Sequence, residues 1–203
     1  MARGKLYVFE GPDGVGKTTL GTALVSHLRA EGRDVLFLAS PGREDGTLGK
    51  LVWELHHDCE RFGVDGVDPT SLQLLHVAAH IDTLERRIIP ALGTGQAVVM
   101  DRFWWSTLVY GTEQGAVRGS LESMIELERR HWGELSPDVV FLVTRRRPFR
   151  DELSQARFER LAEAYRGLAS ATPSTVLIEN SGSVAAALRR ICQYTVSHTF
   201  TSK

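Results

Sequence analysis

Eight residues near the start of the chain, Gly11-Pro-Asp-Gly-Val-Gly-Lys17-Thr18, have the types and spacing of a phosphate-binding loop, G-x-x-x-x-G-K-[ST]. Their chemistry is that of a wrapped anion. Glycines let backbone N–H groups close around a phosphate where a Cβ would block the turn. In this reading Gly11, Asp13, Gly14, Val15 and Gly16 line the cradle, and Lys17 reaches the outer phosphates of ATP. Thr18 offers a hydroxyl to Mg²⁺, and Thr19 follows in the first turn of a helix. Two further clusters carry chemistry. Asp101-Arg102 closes an apolar run: a carboxylate there holds Mg²⁺ or its waters, and a guanidinium forks onto a phosphate. The bland alternative is a structural ion pair at a strand end. Ser40-Pro41-Gly42-Arg43 follows another apolar run and reads as a loop carrying an arginine. The Ser40-Pro41 bond is open to a cis peptide, as X-Pro bonds are.

The elements that must position these residues are short apolar runs alternating with helical stretches. Leu6–Phe9, Val35–Leu38, Ala97–Met100, Val139–Val143 and Thr175–Ile178 read as strands buried on both faces. Thr19–Ala30 reads as a helix with Leu20, Leu24, Val25 and Leu28 on one face, and a long helix runs from about Pro69 to Leu92. The alternation predicts an α/β fold: a three-layer, doubly wound, mainly parallel five-stranded sheet. Gly42–Gly46, Gly63–Pro69 and Arg145–Asp151 read as loops. Ligands of such folds sit at the carboxyl ends of the strands, so the three polar clusters point at one crevice.

The 203 residues suit one domain spanning 1–203. A formal net charge of −1 gives no global field for nucleic acid or an anionic membrane, and no apolar run approaches a membrane span. Cys59 and Cys192 show no C-x-x-C pattern, which suggests a reducing, cytoplasmic setting, and a strand opening at about Leu6 leaves no room for a signal peptide. Arg145-Arg146-Arg147, with Arg150 and Arg157, form the dense basic run. It reads as a solvated face, as a nucleic-acid patch that the net charge disfavours, or as a lid at about 144–157 bringing an arginine to the charge of phosphoryl transfer. Arg146 and Arg150 stand as the catalytic candidates beside Lys17 and Arg102.

With these residues in view the chain resembles the thymidylate kinase family, of the nucleoside-monophosphate kinase group. Phe9-Glu-Gly-Pro-Asp-Gly-Val-Gly-Lys-Thr-Thr19 is similar to that family's opening motif. Ile89-Pro-Ala-Leu92, Asp101-Arg102, Ser106, Pro137-Asp138 and Phe158–Tyr165 stand at its spacing, so the likeness runs from Gly4 to about Leu168. The resemblance implies a P-loop kinase fold, ATP and Mg²⁺ as cofactors, a small-molecule nucleotide acceptor, by default dTMP, and a homodimer. It implies that Arg102 and Arg43 hold the acceptor's phosphate and that Asp13 turns toward the acceptor's sugar hydroxyl. Gly14 stands where some members place an arginine, which assigns that role to the lid.

The chain departs from the family at the acceptor's base. Counted back from Ile89-Pro90-Ala91-Leu92, His76 and His80 fall where the family carries a phenylalanine and an arginine, and Gly111 follows Tyr110 where it has a glutamine. Ser106 is retained, and Trp104 and Trp105 add aromatic area nearby. His76 and His80 share a helix face, and read as ring-binding residues, as a zinc pair lacking a third ligand, or as satisfied helix histidines. His56-His57-Asp58 reads as polar surface at a helix end. The acceptor alternatives are a modified or non-thymine nucleotide or a nucleoside. The alternative of another class is a regulatory protein that binds nucleotide without turnover.

Overall fold

The computed structural model describes residues 2–149 and 154–195. Five strands, β1 (Leu6–Glu10), β2 (Val35–Ala39), β3 (Ala97–Asp101), β4 (Val139–Thr144) and β5 (Thr175–Glu179), form a sheet in the order β2-β3-β1-β4-β5. Every pairing is parallel, so the sheet is wholly rather than mainly parallel. Each strand starts where its apolar run starts and ends one residue later. Backbone pairing needs no apolar side chain, so the ladder continues into Glu10, Ala39, Asp101, Thr144 and Glu179.

Side chains alternate between two cores. Leu6, Val8, Val98, Met100, Val140 and Leu142 face one layer of helices, and Tyr7, Phe9, Val99, Phe141 and Val143 face the other. Helix α1 (Lys17–Ala30) seals the second core with Leu20, Leu24, Val25 and Leu28, the face its spacing predicts. Burying each such side chain contributes roughly 1.5–3 kcal/mol. The helix begins at Lys17 rather than Thr19, because Gly16, at φ 94°, makes the turn into it.

Helix α2 (Leu48–His57) follows β2. The expected long helix is present in three parts: α3 (Pro69–Thr83), a π-helical turn over Leu84–Ile88, and α4 (Ile89–Gly93). Asp68 caps its start by accepting from the amides of Thr70 and Ser71. Pro90 has no N–H to give the preceding turn, which accounts for the departure from α geometry beside it. Helices α5 (Trp104–Glu113), α6 (Arg118–Trp132), α7 (Gln155–Ser170) and α8 (Val184–Cys192) complete the layers. Among the described residues no helix is long and apolar enough to cross a membrane.

Candidate active site

Because β1 lies between β3 and β4, the strand order turns at β1, the place beyond the strand ends where ligands of such sheets bind. The loop after β1 meets Asp101 and Arg102 at the end of β3 there. Gly14 has φ +77°, and a Cβ on it would lie 2.8 Å from Pro148 Cβ. The Phe149 amide donates to the Gly14 carbonyl at 2.8 Å. The basic stretch after β4 therefore rests directly on the phosphate loop, and only glycine leaves it room.

Lys17 is buried, its Nζ donating to the Pro12 carbonyl at 2.8 Å and standing 3.9 Å from Asp13 Oδ1. Burial, with Arg102 beside it, pulls its ammonium down to about 8. The Thr18 hydroxyl donates to Asp101 Oδ2. Asp101 Oδ1 is buried and has no hydrogen-bond partner among the described residues. An unpaired carboxylate oxygen beside a hydroxyl is a fitting oxygen donor set for Mg²⁺, which takes one or two protein ligands and completes its shell with phosphates and water.

Arg102 adopts φ +82°, the one non-glycine residue at positive φ among those described. Its amide extends the ladder to the Phe9 carbonyl at 2.9 Å. Its guanidinium bonds Asp13 Oδ1, reaches the Ser106 hydroxyl at 3.1 Å, and lies 5.2 Å from the Tyr110 ring centre. Burial opposes its charge, but Asp13, then Tyr110, Tyr165 and Asp101, hold its pKa well above the ordinary value. Asp13 has a second partner, on α5. Its other oxygen accepts from the Tyr110 hydroxyl at 2.8 Å, and its amide donates to the same hydroxyl at 2.9 Å. Burial works to raise this carboxyl, yet Arg102, Lys17 and Tyr110 together keep it below its usual value. Lys17, Thr18, Asp101, Asp13, Arg102 and Ser106 thus form one connected set.

Other expected residues lie at its margins. Arg43, in the loop after the cis Ser40-Pro41 bond, is exposed and stacks 4.5 Å from the Trp53 ring centre. Trp104 packs on Phe103 and Trp105, and Trp105 belongs to the core rather than to a pocket. His76 Nε2 meets His56 Nδ1 at 3.2 Å, so the His56-His57 pair is more than polar surface: α2 and α3 join through it. Burial, then His80 and His56, hold the His76 imidazole down to about 3, and the Arg102 charge contributes to the same shift. His80 turns to α6, where its Nδ1 lies 3.2 Å from the buried Glu128 carboxylate, which also accepts from Trp132 Nε1. Gly111 faces Leu121 and Gln73. Among the described residues no group of three His, Cys, Asp or Glu side chains is placed to hold a metal.

Of the basic run, Arg145 is pinned to the Asn180 carbonyl at 2.5 Å and stacks 3.6 Å from the Phe149 ring centre. Arg157 forks onto Glu113 with two bonds of 2.8 Å. Arg146 and Arg147 are exposed. Arg150 lies outside the described residues.

The sequence reading missed four polar residues of the site. Asn180 is buried and donates to the Val15 carbonyl at 2.8 Å, tying β5 to the loop. Tyr165, on α7, meets the Ser106 hydroxyl at 2.9 Å, and Tyr110 holds Asp13. Glu10 is fully buried and accepts from Phe103 N at 2.7 Å, Ser106 N at 3.2 Å and Ser106 Oγ at 2.8 Å. Burial pushes its carboxyl up to about 7 against the pull of Arg102, Ser106 and Lys17. A charge closing a strand that is otherwise apolar was the available signal for Glu10.

With this geometry in hand, comparison with known proteins is specific. The family model described as thymidylate kinase matches residues 9–189. The thymidylate kinase of Dinoroseobacter shibae is 39% identical over 140 residues, 69% of this chain and 64% of that protein. That of Synechococcus sp. is 36% identical over 195 residues, 90% of this chain and 89% of the relative. The first two relatives are each matched over 64% of their own length. Among solved structures, thymidylate kinase from Ehrlichia chaffeensis superposes with a TM-score of 0.76 at 22% identity, covering 95% of this chain and 99% of that one, a likeness of fold. The match over residues 9–189 and the identities of the relatives lead to one conclusion: the chain belongs to the thymidylate kinase family.

Proposed function

We propose that the protein is an ATP- and Mg²⁺-dependent kinase that transfers the γ-phosphoryl group to a nucleoside monophosphate, by default dTMP to dTDP. One observation carries the reading. Two cations, the buried Lys17 on the phosphate loop and the partly buried Arg102 at the end of β3, flank the half-exposed Asp13. A site for two phosphorylated substrates needs positive charge at both ends of the transfer. Lys17 and the loop amides hold the donor, and Arg102, with Arg43 swung from Trp53, holds the acceptor's phosphate. Asp13 faces the acceptor's sugar. Thr18 and Asp101 would hold Mg²⁺, which would supply positive charge to the donor phosphates. The stretch 144–157 is the lid of a single domain, 1–203, and Arg146, exposed and close to the Pro148 contact with the loop, is its candidate for the transferring group. Arg150 remains a second. No general base is needed, since the acceptor's phosphate oxygen is already a nucleophile and catalysis is positioning plus charge.

The acceptor's base is read by residues that differ from the family pattern. Where His80 meets Glu128, only its Nε2 is left for a ligand. His76 is neutral at physiological pH and offers a ring face or a single hydrogen bond. These substitutions favour weaker discrimination among bases than an aromatic stack with a guanidinium fork, by a few kcal/mol. A homodimer and a cytoplasmic setting complete the proposal; Cys59 and Cys192 are both unpaired.

The test is ATP consumption by wild type and Lys17→Ala across dTMP, dUMP, dCMP and dGMP. Wild type is expected to turn over dTMP with at least one other monophosphate close behind. Lys17→Ala is expected to lose about 100-fold or more with its circular dichroism unchanged. Near-normal turnover in a folded Lys17→Ala protein would remove the kinase mechanism, and phosphorylation of nucleosides alone would reassign Arg102.

A further inference from the structure

Arg102 sits in a left-handed conformation that is unfavourable for a non-glycine residue and persists only where its surroundings enforce it. The turn is abrupt. Asp101 ends β3, Arg102 is left-handed, Phe103 is extended with φ −143°, and α5 begins at Trp104. Phe103 stands at the N-cap position and has no side chain able to cap. The amides of Phe103 and Ser106 are the two donors a capping box satisfies from within a helix. Here one carboxylate from another strand accepts both, and accepts the Ser106 hydroxyl as well.

We propose that Glu10 is the positioning residue of the acceptor end: by capping α5 from the end of β1, it holds the Arg102 turn and Ser106 in register with the phosphate loop. Its reach extends through α5. Ser106 touches the Arg102 guanidinium, and Tyr110, one turn further along, holds Asp13. The residue that ends β1 immediately before the loop therefore also sets the direction of the helix facing it. Glu10 acts through Arg102 and Ser106 and need not touch substrate. The inference rests on the reading that Arg102 binds the acceptor's phosphate.

Two variants separate reach from charge. Glu10→Gln keeps the length: its oxygen accepts from both amides and its –NH₂ donates to Ser106 Oγ. Glu10→Asp keeps the charge but is one methylene short. Steady-state kinetics with dTMP and ATP, alongside Arg102→Ala, are expected to leave Glu10→Gln within about threefold of wild type. Glu10→Asp is expected to lose about 100-fold in kcat/KM for dTMP, with KM for ATP within about threefold, the scale of a 1 Å misplacement. Amide exchange over residues 101–106 should rise in Glu10→Asp and not in Glu10→Gln, a readout that needs no substrate. Glu10→Asp equal to or better than Glu10→Gln would mean that charge, not position, is what Glu10 supplies. Equal losses on the ATP and dTMP sides, or unchanged exchange in Glu10→Asp, would overturn the inference too. If Arg102→Ala leaves the dTMP kinetics intact, the reading of Arg102 fails; if Arg102→Ala is impaired and Glu10→Asp is not, only the role of Glu10 fails.

Discussion

His76 shows how one side chain couples stability to pH. Its imidazole is held neutral by burial first and by His80 and His56 after that. The unfolded chain takes up a proton near pH 6.5, whereas the folded one does so only near 3. The unfolded state therefore binds more protons across that window, and stability falls as pH drops from 6.5 toward 3. Replacing His76 by the phenylalanine that the family pattern carries removes the titration. Urea unfolding at pH 7.5 and pH 5 is expected to show wild type losing about 1–2 kcal/mol more than His76→Phe between the two, after allowance for partial exposure. Equal losses in both proteins would mean that His76 is not the group responsible. Arg102 shows the opposite arrangement: burial opposes its charge, but Asp13 beside it holds the guanidinium well above its ordinary value.

At the scale of elements, α5 decides more than any other helix. Its first turn is capped by Glu10, its middle carries Tyr110 to Asp13, and its far end carries Glu113 to Arg157. Gly111 lets it approach α6 and α3. A Cβ there would stand 2.7 Å from Leu121 Cδ2 and 2.9 Å from Gln73 Cγ. The glutamine of the family pattern therefore has no space at this position. Gly111→Gln gains a better helix former, worth up to about 1 kcal/mol, but forces apart buried Leu121 and Gln73 at about 1–3 kcal/mol or more. A net destabilisation of about 1–2 kcal/mol is expected by urea unfolding. A stabilised Gly111→Gln protein would show that α6 yields easily and that Gly111 is not a packing requirement.

For the whole molecule, the layer made by α2, α3 and α6 leaves Leu48 and Leu51 on α2, Leu74 on α3 and Leu127 on α6 exposed. Apolar side chains on adjoining helices mark a partner surface where they join into one patch, and Leu74, on the middle helix, is the residue that tests it. The homodimer proposed above would have a mass twice the 22.5 kDa of the chain. Sedimentation equilibrium of wild type and Leu74→Asp is expected to give dimer and monomer respectively. A monomeric wild type at micromolar concentration would end the proposal, and a dimeric Leu74→Asp protein would move the interface away from α3.

The parts of this protein that the sequence determined by itself are those set by local spacing. Five short apolar runs, each too short for a helix, became five parallel strands, and Leu20, Leu24, Val25 and Leu28 formed the buried face of α1. Asp101 and Arg102 were legible because two ionisable residues closing a buried strand must meet a partner or a ligand. The contacts between distant segments were decided only in the tertiary structure. That Glu10 caps α5 across 93 residues, that His80 turns to Glu128 across 48, and that Asn180 reaches Val15 across 165 depends on which strand lies beside which. Spacing along the chain carries the period of a helix or strand, and so tells which face is buried. It carries no record of which polar groups on two buried faces will be opposed, and burial compels each of those groups to find its partner there.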